Sequence, residues 1–435
     1  MQTDTKAKKT LYALFAGIYI LVVMFTFYSD TMIPKISSMI IIPIAFFIFM
    51  IQADFDRVKQ LSGLAFWMIV GCLLVYVLSV IVWIINIEKT MYIMEGTQRL
   101  IFQLVNILVA FSAIYVFGSK GVDYTLYGAF GMNAIVLMQG LIKYGPAGSL
   151  NDIVHTFTTG EQLGFMSVME INEVTYVYVI FILYYIFISQ YSVKKKAVYI
   201  GISAFFFIMG FKRIILASAA IAALCSVLFF ILKPKYRKNF GLLIGIPVAV
   251  VSFLYIPFIR YGLFEYTMNL FNINTNTRID LYNFIKDTYS FTPDFIGRGL
   301  DFVFRYLKYV KTLRLHYKGA TLQFIHNDIL VRYIEMGFWG FCGWLYACCI
   351  FCQRWIQKNY GLFAGAMYAV INLYSFINWS VGNTNHAYVV RLSVVIVVIG
   401  AGCLKNIELK GIERHKNGLE MAEESEEQEI KAEII

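Results

Sequence analysis

Apolar positions along the chain neither alternate nor mark one helical face. They come in unbroken runs close to the length of a membrane span, separated mostly by short polar connections. An α-helix of that length crosses the hydrocarbon core of a bilayer with every backbone N–H and C=O satisfied internally. About twelve such runs can be marked, at residues 11–28, 32–51, 65–86, 100–118, 124–142, 172–192, 197–212, 214–232, 240–260, 329–352, 360–378 and 387–404. Strands of a membrane barrel would show short segments of alternating polarity, and that rhythm is missing. The pattern predicts an all-α polytopic bundle of about twelve spans, with a long polar loop between the ninth and the tenth.

Composition agrees with a membrane bundle. Of 435 residues, 59% are hydrophobic, 15% charged and 17% aromatic, with 7 prolines and a mean hydropathy of +0.66, which excludes a water-soluble surface. A formal charge of +10 would suggest nucleic acid in a soluble protein, but the basic residues sit mostly in connections between apolar runs. That placement reads as topology. An N-terminus inside the cell puts Arg57, Lys59, Lys120, Lys194, Lys195, Lys196, Lys233, Lys235, Arg237, Lys238, Arg354 and Lys358 on the cytoplasmic side. The short outer connections then carry only Lys35, Lys89, Arg99 and Lys143.

The expected organisation is nine spans in residues 1–260, an extracytoplasmic loop in 261–328, three more spans in 329–404 and a solvated cytoplasmic tail in 405–435. Both termini face the cytoplasm, and the first run, which lacks a cleavage site, is a retained helix. A second polar segment, 143–171, is expected as an outer loop on the same face as 261–328, and long loops on one face are where function gathers. The 7 cysteines lie in or beside apolar runs and imply no disulfide framework; Cys348, Cys349 and Cys352 have no His or acid at ligand spacing and read as buried thiols.

Chemistry concentrates in the long loop and the helix after it. Arg278 comes first, then Gly297, Arg298 and Gly299, then Arg305, Lys308, Lys311 and Arg314 at every third position, interleaved with aromatics. On a helix those four cations form a stripe suited to phosphate headgroups or a polyanion; an amphipathic helix resting on the outer leaflet has the same pattern. His326, with Asn327 and Asp328, stands at the membrane boundary and can accept a proton near neutral pH, although a lone interfacial histidine is ordinarily structural. Asp328, Arg332 and Glu335 are spaced to pair with one another on one helix face. Lys212 and Arg213 interrupt an apolar stretch at the outer end of two spans, which suggests function, against a tight turn with snorkelling side chains. Arg99 and Arg391 lie near the same face; either could pair with an acid of the loop, and both rank lower.

The ordered set Arg278, Gly297, Gly299, His326, Asn327 and Glu335-x-Gly337-x-x-Gly340 on this frame resembles the O-antigen polymerase and ligase superfamily of bacterial polysaccharide synthesis. Lys212 and Arg213 stand where family members carry an arginine between two spans, without the flanking Ser and Gly. Glu170-x-Asn172 matches a further, weaker pattern. The resemblance implies a GT-C-like fold and a metal-independent inverting glycosyltransferase that uses a polyprenyl pyrophosphate donor and no cofactor. Arg278 and Arg213 would then meet the departing pyrophosphate, and His326 would be the base for the attacking sugar hydroxyl. Lys212, Arg298, Asn327, Glu335 and the four-cation stripe are the expected substrate contacts.

Expected partners are lipid-linked oligosaccharide repeat units, membrane lipids and a chain-length regulator, with no nucleic acid. A polymerase of capsule, O-antigen or exopolysaccharide is the first reading. A ligase that moves finished glycan to another acceptor shares the motifs. A multispan flippase would place its charges along mid-helix cavities rather than at one face.

Overall fold

The computed structural model describes residues 2–28, 39–86, 90–169, 175–271, 278–307, 316–317, 320–321, 325–382 and 396–404. The sequence-predicted positions Lys308, Lys311, Arg314, Arg391, Glu170 and Asn172, and the acidic tail, lie outside them.

The fold is helical, with one antiparallel pairing of two-residue strands, His316–Tyr317 and Ala320–Thr321. In chain order the main helices are α1 (Gln2–Tyr28), α2 (Ile41–Ile51), α3 (Phe55–Asn86), α4 (Thr90–Phe117), α5 (Gly121–Thr159), α6 (Gly164–Met169), α7 (Thr175–Phe187), α8 (Val193–Met209), α9 (Arg213–Ile231) and α10 (Phe240–Arg260). They continue as α11 (Leu263–Leu270), α12 (Arg278–Ile285), α13 (Phe302–Arg305), α14 (Asp328–Tyr346), α15 (Cys352–Tyr360) and α16 (Leu362–Val381). A π-turn, Ala347–Phe351, joins α14 to α15.

Among the described residues, 7 helical stretches are long and apolar enough to cross a membrane: Lys9–Thr26, Phe55–Asn86, Ile93–Thr159, Arg213–Ile231, Phe240–Arg260, Asp328–Tyr360 and Leu362–Ser380. Two shorter apolar helices, α2 and α7, accompany them. This is a helical membrane protein. Its exposed large side chains, such as Leu74, Ile84, Leu224, Leu243 and Val251, lie on these helices and give the bundle an apolar exterior. Helix α16 is the most enclosed of the long helices and packs against α9 and α10, while α1 lies along α5 and α3 along α4.

The segment expected as an outer loop at 143–171 is instead helical for most of its length. Helix α5 runs on to Thr159, broken only where Gly145 adopts φ 69° before Pro146, and α6 follows after four residues. The polar residues that suggested a loop sit on one side of the continuing helix. The longer segment 261–328 likewise contains α11, α12, α13 and a single turn of 3-10 helix, Lys286–Thr288.

One end of the bundle collects the chemically interesting positions. Ser218, near the start of α9, accepts from Asn378, near the end of α16, at 2.8 Å. Tyr255, near the end of α10, donates to the Ser380 carbonyl at 2.8 Å. The Asp328 N–H, at the start of α14, donates to the Gly382 carbonyl at 3.3 Å. Arg213, Arg260 and His326 therefore share one face.

Candidate functional site

The Gly297-Arg298-Gly299 turn docks onto a break in α14. Gly337 there has φ 71° and ψ −178°, so the helix ladder is interrupted and the carbonyls just before it lack their usual partners. The turn supplies replacements: the Arg298 N–H donates to the Ile334 carbonyl and the Gly299 N–H to the Glu335 carbonyl, both at 2.9 Å. In return the Phe338 N–H donates to the Phe295 carbonyl at 2.8 Å. A Cβ on Gly297 would stand 2.6 Å from the Gly337 nitrogen, so this approach of two backbones admits only glycine. From below, Ser79 of α3 accepts from the Leu300 N–H at 3.0 Å, and Asn86 donates to the Gly297 carbonyl at 3.2 Å. The motif elements that lie far apart in the chain are thus one joint.

Beside that joint lies a network of charged side chains shielded from solvent. Asp301, with φ 70°, is bound by Arg99 of α4 and by Arg305 Nε at 3.2 Å, and its own N–H donates to Glu335 Oε1 at 2.7 Å. Arg332 reaches Glu335 Oε2 at 3.1 Å, and Arg305 also binds Glu95 of α4. Three guanidiniums, Arg99, Arg305 and Arg332, are thus paired with three carboxylates, Glu95, Asp301 and Glu335. Neutral pairing with directional hydrogen bonds is what makes charge tolerable away from water.

The expected pairing of Arg332 with Glu335 is present. Arg305, in α13, is buried and bound to Asp301 and Glu95, while the other three cations of the expected stripe lie outside the described residues. Glu335 is also enclosed within this network, where it accepts from the Asp301 N–H and pairs with Arg332. Arg298 is half-buried, donates to the Thr288 carbonyl at 3.1 Å and lies 5.8 Å over the Phe302 ring, which anchors the turn.

A second cluster joins Arg278 to the histidine. Arg278 begins α12, and one turn later Tyr282 is buried and accepts from the Asn327 side-chain amide at 3.1 Å. Burial pushes the Tyr282 phenol above its ordinary value; the Asn327 hydrogen bond, the Arg278 charge and the Tyr255 hydroxyl pull the other way. Asn327 also caps α14, its carbonyl oxygen accepting from the Leu330 N–H at 2.9 Å. His326, immediately before the cap, is partly exposed and held at φ 51°.

The described non-glycine residues with positive φ are Phe211, Asp301 and His326. Each lies in or beside a segment singled out above, as expected where surrounding structure holds a functional residue in an unfavourable conformation.

Arg213 stands at the same face but apart from this cluster. It is exposed at the start of α9, with Lys212 half-buried before it, and its guanidinium donates to the Gly160 carbonyl at the end of α5. Arg278 and His326 are thus joined through Tyr282 and Asn327, while Arg213 borders the face from the neighbouring helices. Glu95, Asp301, Tyr255 and Tyr282 escaped sequence reasoning. The i, i+4 pairs Glu95/Arg99 and Asp301/Arg305 were the available signal, because charge repeated at helical spacing beside apolar runs asks for a partner.

Among the described residues, no group of three or more His, Cys, Asp and Glu side chains is arranged to hold a metal ion. The chain matches no protein-family model, and no curated protein is significantly similar to it in sequence. The chemistry on offer is an accessible imidazole and two guanidiniums at one end of an apolar bundle.

Proposed function

We propose that the chain is a polysaccharide polymerase of the cytoplasmic membrane, a twelve-span, GT-C-like protein related in mechanism to the O-antigen polymerases it resembles. Both termini lie in the cytoplasm, and the face carrying Arg278 and His326 is the outer one. In this reading the hydroxyl of a lipid-linked repeat unit attacks the anomeric carbon of a glycan on undecaprenyl pyrophosphate. The new glycosidic bond forms with inversion as the bond to pyrophosphate breaks. His326 takes the hydroxyl proton, while Arg278 and Arg213 meet the charge on the departing pyrophosphate.

The observation that supports it most is the link between Arg278 and His326 through Tyr282 and Asn327. It ties the helix that Arg278 begins to the cap that follows His326, at one end of a membrane bundle. Transfer from a lipid-borne phosphoester needs both a cation and a base.

In cells whose own gene is deleted, a plasmid copy carrying His326→Ala should leave the membrane level of the protein unchanged. Single lipid-linked repeat units should accumulate outside, without long polymer. Normal polymer length would remove His326 as the base; accumulation on the cytoplasmic side would indicate a flippase; long polymer held on its lipid carrier would indicate a ligase.

A further inference from the structure

Two helices at the candidate face share an arrangement that spans do not have. One is the part of α5 after Pro146; the other is α11. Each follows a glycine with positive φ, Gly145 at 69° and Gly262 at 78°, and each of those glycines comes two residues after a cation, Lys143 and Arg260.

Each helix then divides into three sectors. Leu150, Val154 and Phe157 on the first, and Leu263, Tyr266 and Leu270 on the second, stand 47–66% exposed. At about 100° per residue each trio spans an arc of only about 60°. The protein-facing sectors are elsewhere: Ser149 and Thr156 are buried on the first helix, and on the second Phe264 is buried 5.3 Å from the Tyr282 ring. Polar residues make the remaining sector, Asn151 and Thr158 on one, Glu265 and Asn269 on the other.

A helix that crossed the bilayer would have no reason to gather polar residues along its length. A helix lying wholly in water would not keep six large apolar side chains exposed in two narrow stripes. We infer that residues 146–159 and Leu263–Leu270 lie in the plane of one leaflet's interface, each with its apolar stripe in acyl chains and its polar sector toward water. The occupant of these stripes is phospholipid. Leu254 near the end of α10 and Tyr261 just after it are also exposed and precede α11 in the chain, and Lys143 and Arg260 would meet phosphate headgroups. The two helices would hold the Arg278 and His326 cluster at headgroup depth. The inference stands on the membrane bundle and not on glycan transfer.

The test places an environment-sensitive fluorophore singly at positions 150, 157, 266 and 270, and at the polar positions 151, 158 and 269, in protein reconstituted into phosphatidylglycerol–phosphatidylethanolamine nanodiscs. Labels are attached in a chain whose native cysteines are replaced by alanine. Where that chain does not fold, a genetically encoded fluorescent amino acid is used in the native sequence. Lipid carrying a nitroxide near the headgroup should quench the first group several-fold more than aqueous iodide does, with the order reversed in the second. Iodide quenching of the first group as strong as that of the second would overturn the inference. So would protection of the first group from both quenchers together with cross-linking between copies, which would make the stripes a dimer contact.

Discussion

The Asn327 side-chain amide donates to the Tyr282 hydroxyl at 3.1 Å, between residues 45 apart in the chain. This bond ties the helix that begins at Arg278 to the cap on which His326 rests, and Asn327 uses its other side-chain atom for the cap itself. The two duties can be separated. Asn327→Ser keeps a capping oxygen but cannot reach Tyr282, so it should lower unfolding stability by no more than about 1 kcal/mol while shortening the polymer made. Asn327→Ala should lose both. Thermal unfolding of the purified variants, set beside glycan chain length in cells, checks the split.

Asp301 sits between Arg99 and Arg305, and its removal would take a carboxylate from both guanidiniums, leaving Arg305 with Glu95. Asp301→Asn should cost about 3–5 kcal/mol, the range for breaking a buried ion pair by losing one partner. Replacing Asp301 by Leu together with Arg99 by Met should cost clearly less than the sum of the single changes, because neither charge is then left alone. Denaturation midpoints in detergent for the four proteins of that cycle decide it.

Gly337→Ala should be among the most damaging single-methyl changes in the chain. Its φ of 71° disfavours any side chain, and the added Cβ would meet the backbone of Ile296 and Gly297. Gly343 on the same helix has open space around its would-be Cβ, so Gly343→Ala should be nearly silent. Monodispersity on size-exclusion chromatography and the unfolding midpoint should separate the two variants plainly.

His326 is held at φ 51°, a conformation that glycine adopts freely. His326→Gly should match or exceed the wild-type unfolding midpoint and still fail to extend polymer. A residue kept for packing would give the opposite result, lower stability with polymer retained.

Much of this was legible in the sequence, and the parts that were not have a common cause. Apolar run length located the helices around 65–86, 214–232 and 240–260, because a span must satisfy its backbone locally. The Arg332/Glu335 pair was legible for the same reason: its partners are three residues apart. That Arg99 pairs with an acid of the long loop was legible too, but that the acid is Asp301 was not, since it lies 202 residues away and only the folded chain joins them. The 143–171 segment was misread because its polar residues were weighed by number and not by the side of a helix they occupy. The burial of Arg305 could not be read from regular cation spacing, because its partner Glu95 comes from a distant part of the chain. The positive φ of His326 follows from its surroundings and has no signature in a single sequence.

Arg278 is the cation closest in role to the proposed leaving group. Arg278→Lys keeps the charge but loses the planar fork that grips phosphate oxygens from two donors. It should reduce the transfer rate roughly 10- to 100-fold, the worth of one charge-assisted hydrogen bond, with an unchanged unfolding midpoint. Initial rates on a lipid-linked unit, measured beside thermal unfolding, show whether rate and stability part in this way.

The most direct test of glycan transfer is incubation of the purified, reconstituted protein with lipid-linked repeat units extracted from its own cells, followed by electrophoresis of the released glycan. A ladder of lengths spaced by one repeat unit, absent with His326→Ala, is the predicted result. A folded protein that leaves the units single, or that moves them across the vesicle bilayer without joining them, would contradict the account.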